Sequence, residues 1–163
     1  MNAINRIVIP TERLREVAEG WRAANQSIVF TNGVFDLLHS GHLQLLEDSA
    51  AQGDVLIVAI NSDASVRRLK GPERPIYPEN ERAEILLSLK WVDAVSIFEE
   101  DTPLETIVRV RPHVLVKGAE YGSGAIVGEN EVVGWGGRVW RYPMRAGYST
   151  TRIVERIRGE SKP

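Results

Sequence analysis

A run of six aliphatic residues at positions 55–60 (VLIVAI) constrains the fold most strongly. Because neighbouring side chains of a strand point to opposite faces of a sheet, a strand without a polar position must be covered on both faces. Interior strands of parallel sheets flanked by helices have this pattern. The run is also far shorter than the ~20 residues that span a bilayer. The sequence therefore predicts a buried strand in an α/β protein.

Other short β-branched runs alternate along the chain with segments whose apolar residues recur every three or four positions. We predict strands at 27–31, 55–60, 92–98, 114–117 and 138–142, and helices at 14–21, 43–51, 81–89, 102–110, 128–135 and 150–157. Residues 102–105 (TPLE) are typical of a capping box, and Ser149 precedes the last helix. Right-handed crossovers then favour a Rossmann-like, doubly wound, five-stranded parallel sheet of order 3-2-1-4-5. We expect one domain over 1–163, with an N-terminal helical extension (1–26) and a catalytic core (27–158).

Composition excludes several classes of function. Twenty Lys and Arg against 22 Asp and Glu give a net charge of -2, which argues against a nucleic-acid-binding or membrane-surface protein. The absence of cysteine excludes disulfides, thiolate nucleophiles and iron–sulfur clusters. The apolar residues 7–9 are followed at once by Pro10 and charged residues, so no signal peptide is predicted. We expect a cytoplasmic protein without a nucleic-acid or membrane partner.

The segment after the first predicted strand, 31–42 (TNGVFDLLHSGH), carries the chemistry. Gly33 has no Cβ and would let a ligand approach the backbone, and His39 and His42 stand at the start of a helix, where an anion is favoured. The histidines could instead cap the helix, fill the core or bind a metal. Metal binding is the weaker alternative because neither an HExxH pattern nor cysteine accompanies them, and His113 lies elsewhere.

Residues 39–42 resemble the HxGH signature of the nucleotidylyltransferase superfamily. Further segments are similar, in order and spacing, to the adenylyltransferase half of the bifunctional ADP-heptose synthesis proteins and their standalone counterparts: 61–63 (NSD), 70–75 (KGPERP), 116–118 (VKG) and 147–152 (GYSTTR). The resemblance covers about residues 27–158. It implies transfer of AMP from ATP to D-glycero-β-D-manno-heptose 1-phosphate, with release of pyrophosphate, for the inner core of lipopolysaccharide.

Two departures from the family pattern are visible. His113 follows Arg111-Pro112 where the family usually has Asp, so we assign His113 no role. A sugar-kinase domain does not precede the motif, so we expect a separate kinase to supply the heptose phosphate. The resemblance also implies a homo-oligomer, dimeric or larger.

The implied chemistry needs positioning and positive charge, since a phosphate monoester is mostly dianionic at neutral pH and can attack without a general base. We assign catalysis to His39, His42 and Lys70. Nucleotide binding is assigned to Gly33, Phe35, His39, His42, Lys117, Gly118, Ser149, Thr150 and Thr151. Sugar-phosphate binding is assigned to Asn61, Asp63, Lys70 and Arg74. We predict no dedicated metal site and expect Mg²⁺ to accompany ATP, held mainly by phosphates and water.

Purely structural roles stay open as alternatives for several of these residues. Lys70 and Arg74 could lie on a solvated loop, Ser149 could act only as a helix N-cap, and Asn61 or Asp63 could cap a following short helix. The order of the strands puts Lys117 beside the first strand, which favours a place in the crevice. Asp36 is left without an assignment.

Two other functions compete. A cytidylyltransferase acting on glycerol 3-phosphate or a related phosphoalcohol shares HxGH, with base choice set by backbone groups in 118–133. A regulator that binds nucleotide without turnover is the second. Dehydrogenase and P-loop functions are excluded, because 122–128 (GSGAIVG) has neither GxGxxG nor GxxxxGK[ST] spacing.

Overall fold

The computed structural model describes residues 7–119, 126–143 and 149–159. Within them, a parallel sheet of six strands has the order β1-β4-β3-β2-β5-β6. The strands are β1 (Ile7–Val8), β2 (Ile28–Gly33), β3 (Val55–Asn61), β4 (Ala94–Phe98), β5 (Val114–Ala119) and β6 (Arg138–Pro143). The helices are α1 (Leu14–Ala23), α2 (Ser40–Ala50), α3 (Asp63–Lys70), α4 (Glu79–Ser88), α5 (Leu104–Val110), α6 (Glu129–Gly134) and α7 (Thr150–Arg158).

The predicted order of the five strands is confirmed as β4-β3-β2-β5-β6, but the predicted number is wrong. The additional strand, β1, has only two residues, Ile7 and Val8, which pair with Ala94 and Val95 at the edge of the sheet. Pro10 follows closely and cannot donate to a ladder, so the strand is too short for a periodic pattern.

Alternate residues of β3 serve two separate cores. Ile57 and Ala59 pack in one apolar cluster with residues of α1, α5 and α6. Leu56 and Val58 pack in a second cluster with residues of α2 and α4. The run at 55–60 is therefore covered on both faces, as its sequence predicts.

Helices α5 and α2 begin at residues other than those predicted. The N-cap of α5 is Pro103 and the helix begins at Leu104, so the predicted capping box starting at Thr102 is wrong. Helix α2 begins at Ser40, three residues before the predicted start, which places His42 inside its first turn. Of the predicted N-terminal extension, α1 buries Leu14 and Ala18 in the core of the sheet. None of the helices in the described ranges has the length and apolar character required to cross a membrane.

Candidate active site

The carboxyl ends of the central strands hold four of the predicted residues. Gly33 ends β2, Asn61 ends β3, and Lys117 and Gly118 lie in the second half of β5. Because β2 lies between β3 and β5 and all three strands are parallel, these positions lie together at the carboxyl ends of the strands. His113 lies at the amino ends of the strands, where its Nδ1 accepts a hydrogen bond from Ile28 N at 2.8 Å. This location agrees with a structural role for His113.

His39 and His42 form a stacked pair at the start of α2. Their ring centroids are 3.8 Å apart, with 24° between the ring planes. His39 is the N-cap residue in extended conformation, and its backbone N–H donates to His42 Nδ1 at 3.4 Å. Since Nδ1 of His42 accepts this bond, a neutral His42 carries its hydrogen on Nε2. That N–H is the group available to donate to a phosphate oxygen.

Burial keeps both imidazoles neutral in the absence of ligand. Burial, with a smaller contribution from the neighbouring His39, lowers the pKa of His42 from 6.5 to about 4. Burial also lowers the pKa of His39. At neutral pH the pair therefore offers N–H donors rather than two positive charges, and an approaching polyanion would favour protonation.

The ring of Phe35 packs against His42. Its backbone is left-handed, with φ of 48°, and its buried ring lies 5.2 Å from the His42 ring, centroid to centroid. A Cβ built on Gly33 would come within 3.1 Å of the Phe35 ring. The missing side chain of Gly33 thus makes room for Phe35, a reason different from the ligand approach that the sequence suggested.

Asp36, left unassigned from the sequence, anchors the loop after α3. Its carboxylate is 1% exposed and accepts hydrogen bonds from Arg74 Nε at 2.8 Å, Ile76 N at 2.8 Å and Tyr77 N at 2.9 Å. The side chain of Arg74 is only 14% exposed, so it is not a cation of a solvated loop. Asp36 therefore ties this loop to the segment that carries the histidines.

The groove between this loop and α7 joins two predicted motifs. It has a volume of about 250 Å³ and is lined in part by Lys70, Arg74 and Thr151. Lys70 is exposed and ends α3, whereas the sequence placed it on the loop. Arg158 Nη2 donates to Glu73 Oε2 at 2.8 Å, which links the end of α7 to the loop.

The start of α7 also meets the histidine segment. Thr150 Oγ1 donates to Leu37 O at 3.2 Å. Ser149 is the N-cap residue, but its side chain makes no capping hydrogen bond. This disagrees with the alternative in which the hydroxyl of Ser149 serves only to cap the helix. Gly147 and Tyr148 of the same motif lie outside the described residues.

Asn61 and Asp63 are already bonded within the protein. Asn61 Nδ2 donates to Ser65 Oγ at 3.0 Å, and Asp63 Oδ1 accepts from Arg82 Nη2 at 2.7 Å. The cap of α3 is Ser62, whose hydroxyl accepts from Ser65 N, so neither predicted candidate acts as the cap. Their assignment to sugar hydroxyls stays a prediction.

Arg82 is the charged residue of this region that sequence reasoning missed. Its side chain is 0% exposed, and it donates to Val34 O at 2.7 Å and Tyr77 O at 3.0 Å as well as to Asp63. The only signal in the sequence was a charge on the buried stripe of α4, beside Ala83 and Leu86. Arg82 thereby joins the segments that follow β2, β3 and α3.

In the second half of β5, Lys117 Nζ donates to Asn32 Oδ1 at 3.3 Å and so joins β5 to β2. No group of three or more His, Cys, Asp or Glu suited to a metal ion occurs among the residues that the structure describes. Asp36 and Asp63, two carboxylates beside the site, are bonded to arginines.

A doubly wound parallel sheet with a histidine pair opening a helix at its carboxyl edge defines an α/β protein built to bind anionic, phosphate-bearing ligands. A model of the cytidylyltransferase-like family matches residues 30–156, and the chain belongs to this family. It is an enzyme of the nucleotidyltransferase class.

Two relatives are each named bifunctional protein HldE. The protein of Acidiphilium cryptum is 52% identical over 153 residues, which are 94% of this chain and 32% of that protein. The protein of Caulobacter vibrioides is 50% identical over 146 residues, 90% of this chain and 30% of that protein. The chain thus spans about a third of the length of the curated relatives it matches.

Solved structures agree with the fold. The lipopolysaccharide core biosynthesis protein of Thermoplasma volcanium superposes with a TM-score of 0.63 at 29% identity, over 74% of this chain and 98% of that one. Pantoate-beta-alanine ligase of Francisella tularensis, solved with an ATP derivative and beta-alanine, gives a TM-score of 0.55 at 14% identity, over 93% of this chain and 77% of that one. The second likeness concerns the fold alone.

Proposed function

We propose that this chain transfers AMP from ATP to D-glycero-β-D-manno-heptose 1-phosphate, giving ADP-D-glycero-β-D-manno-heptose and pyrophosphate for the inner core of lipopolysaccharide. The observation that carries the proposal is the convergence of the His39–His42 pair with the start of α7, through the bond from Thr150 to Leu37. The HldE relatives and the Thermoplasma structure support the choice of a lipopolysaccharide precursor as acceptor.

In this reaction an oxygen of the sugar phosphate attacks the α-phosphorus of ATP. A new P–O bond forms as the bond to the bridging oxygen breaks, and pyrophosphate leaves with the electron pair. The attacking oxygen is already ionised near neutral pH, because the second pKa of a phosphate monoester is about 6. The protein therefore needs to supply alignment and charge stabilisation, without a nucleophile of its own.

The neutral histidines suit the α-phosphate. The Nε2–H of His42 would donate to a nonbridging oxygen whose charge grows in the transition state, and the stacked His39 would donate beside it. Both groups are fixed before substrate arrives, by the N-terminal turn of α2 and the Phe35 ring. Little reorganisation is then needed during the reaction.

Cations and hydroxyl groups would surround the remaining phosphates. Lys117, held beside Asn32, would contact the triphosphate from β5, and the hydroxyls of 149–151 would contact the departing pyrophosphate from α7. Lys70 and Arg74 line the groove on the other side and would hold the sugar phosphate.

Mg²⁺ would enter with ATP and neutralise part of the triphosphate charge. Because Asp36 and Asp63 are bonded to arginines, we expect phosphate oxygens and water to supply most of its ligands. A cytoplasmic location, an upstream sugar kinase and a homo-oligomer stay predictions.

The test measures pyrophosphate release with ATP or CTP, each combined with heptose 1-phosphate or glycerol 3-phosphate. We expect ATP with heptose 1-phosphate to be the best pair. CTP with glycerol 3-phosphate as the best pair would instead favour the alternative, a cytidylyltransferase. The family to which the chain belongs is named for that activity. Nucleotide binding without pyrophosphate release in any pair would indicate a regulator.

The variant His42→Asn should lower kcat of the best pair about 10²- to 10³-fold, as expected for loss of a transition-state donor. The matched control is His113→Asn, which alters a histidine at the opposite edge of the sheet. The control should retain wild-type kcat. Near-normal turnover of His42→Asn would contradict the assignment.

A further inference from the structure

A groove rich in arginine lies on the face formed by α1, α5 and α6. It has a volume of about 430 Å³, and its lining includes Arg15, Arg22, Arg109, Arg111 and Trp135. We call it the arginine groove.

The arginine groove is separate from the candidate active site. Arg109 and Arg111 stand at the end of α5, just before β5 begins at Val114, whereas Lys117 lies further along the same strand. At about 3.3 Å per residue, roughly 10 Å of strand separates Val114 from Lys117. The groove is therefore at the amino ends of the strands and the histidine pair is at their carboxyl ends.

The groove has more positive charge than its own acidic groups offset. Arg109 forms an ion pair with Glu105, and Glu19 is the acidic residue among those lining the groove. Arg15 and Arg111 have no carboxylate within ion-pair distance in the part of the chain that the structure describes. Their guanidinium groups retain N–H donors for a ligand.

Two of the arginines, Arg22 and Arg111, are brought together at the end of α5. Arg111 caps α5 in the left-handed conformation, with φ of 48°, and its N–H donates to Ile107 O at 2.8 Å. Arg22 Nη1 donates to Val110 O at 2.7 Å. Burial lowers the pKa of Arg22, Glu19 opposes this effect, and the charge of Arg111 adds to it. An anion would relieve the repulsion between these two guanidinium groups.

Trp135 gives the groove a fixed aromatic wall. The guanidinium of Arg111 lies 5.3 Å from the centre of the Trp135 ring, and the indole Nε1 donates to Pro112 O at 3.0 Å. The cation–π contact and the hydrogen bond fix the positions of the two side chains relative to each other. This wall of the groove is therefore held in place before a ligand binds.

We propose that the arginine groove binds the phosphate group of a small molecule. A phosphate carries up to two negative charges and three acceptor oxygens, which match several guanidinium donors better than a single carboxylate does. The volume is in the range of pockets that hold small ligands, so a phosphate ester fits as well as the free ion. This inference is independent of the proposed transfer reaction.

The test uses the indole N–H of Trp135 as a probe that is local to the groove. The ¹⁵N-labelled chain is titrated with inorganic phosphate or AMP at constant ionic strength, and Trp135→Phe assigns the resonance. We expect a saturable shift of this resonance in the wild type and an unchanged Kd in His42→Asn. A lower Kd for AMP than for phosphate would identify an ester as the better ligand.

The double variant Arg15→Gln/Arg111→Gln should weaken phosphate binding at least about tenfold, since it removes two charged donors. The control Arg13→Gln removes one positive charge nearby, at a residue paired with Glu16 outside the groove, and should keep the wild-type Kd. If the double variant does not fold, Arg15→Gln alone provides the test, because its side chain is exposed on α1.

Three results would overturn the proposal. One is the absence of a saturable Trp135 shift, or its reproduction by chloride. Another is an unchanged Kd in the arginine variants. The third is tighter binding of citrate than of phosphate, which would identify a carboxylate site instead.

Discussion

The carboxylate of Asp36 lies 2.8 Å from Nε of Arg74, and both side chains are withdrawn from solvent. The pair joins residues 38 positions apart, one before the histidines and one on the loop that follows α3. The two sides of the candidate site are therefore mechanically linked.

The variant Asp36→Asn should lose stability and turnover together. Removing one partner of a buried ion pair leaves the other uncompensated, which costs about 3 kcal/mol. Displacement of the loop should lower kcat at least about tenfold. Urea unfolding and pyrophosphate release measure the two effects. The control Asp101→Asn breaks the exposed pair with Arg68 and should cost less than about 1 kcal/mol. Equal effects of the two variants would contradict the linkage.

Gly33→Ala tests the support of His42 by Phe35. The new Cβ would press on the Phe35 ring, and because that ring contacts His42, we expect kcat to fall about tenfold and stability by about 1–3 kcal/mol. The control is Gly20→Ala on α1, where a Cβ meets nothing within 4 Å. Alanine there should raise stability by about 0.5–1 kcal/mol with activity unchanged. Wild-type kcat in Gly33→Ala would show that the Phe35 contact is dispensable.

The depressed pKa of His42 predicts a pH dependence of folding. The unfolded chain, with a histidine pKa near 6.5, takes up a proton before the folded chain does, at about 4. The stabilisation is therefore complete above pH 6.5 and is lost as pH falls toward 4, by up to about 3 kcal/mol. The difference in unfolding free energy between wild type and His42→Asn, measured at pH 7 and pH 4.5, should shrink at the lower pH. A constant difference would contradict this origin of the shift.

Asp63 is proposed to bind sugar, yet it already pairs with buried Arg82. If the pair is mainly structural, Asp63→Asn should cost about 2–3 kcal/mol of stability, since a fully buried guanidinium loses its carboxylate. A double-mutant cycle with Arg82→Met should then show strong coupling. A higher KM for the sugar phosphate, with unchanged stability and no coupling energy between Asp63 and Arg82, would instead identify Asp63 as a sugar ligand.

The sequence was most informative where a pattern is local. The fully apolar run at 55–60 predicts a covered strand, and right-handed crossovers then predict the order of the five longer strands, which is confirmed. Strand β1 could not be found this way, because two residues carry no period and the pairing of Ile7 with Ala94 is set by tertiary contact.

The contacts that hold the histidine segment in place could not be predicted from the sequence, for a different reason. The partners of Asp36 and Arg82 come from segments far apart in the chain, and no pattern in a single sequence pairs such charges. The positive φ of Phe35 was equally invisible, since nothing in the residue type favours it. The motif residues were recognised by resemblance, whereas the groups that hold them in place needed the fold.

The most direct test of the central claim follows the α-phosphate of ATP. ATP labelled at its α-phosphorus is incubated with heptose 1-phosphate, and the labelled species are separated. We predict that the label appears in the sugar nucleotide while unlabelled pyrophosphate is released. Retention of the label in ADP, with the γ-phosphate transferred to the sugar, would contradict nucleotidyl transfer at this site.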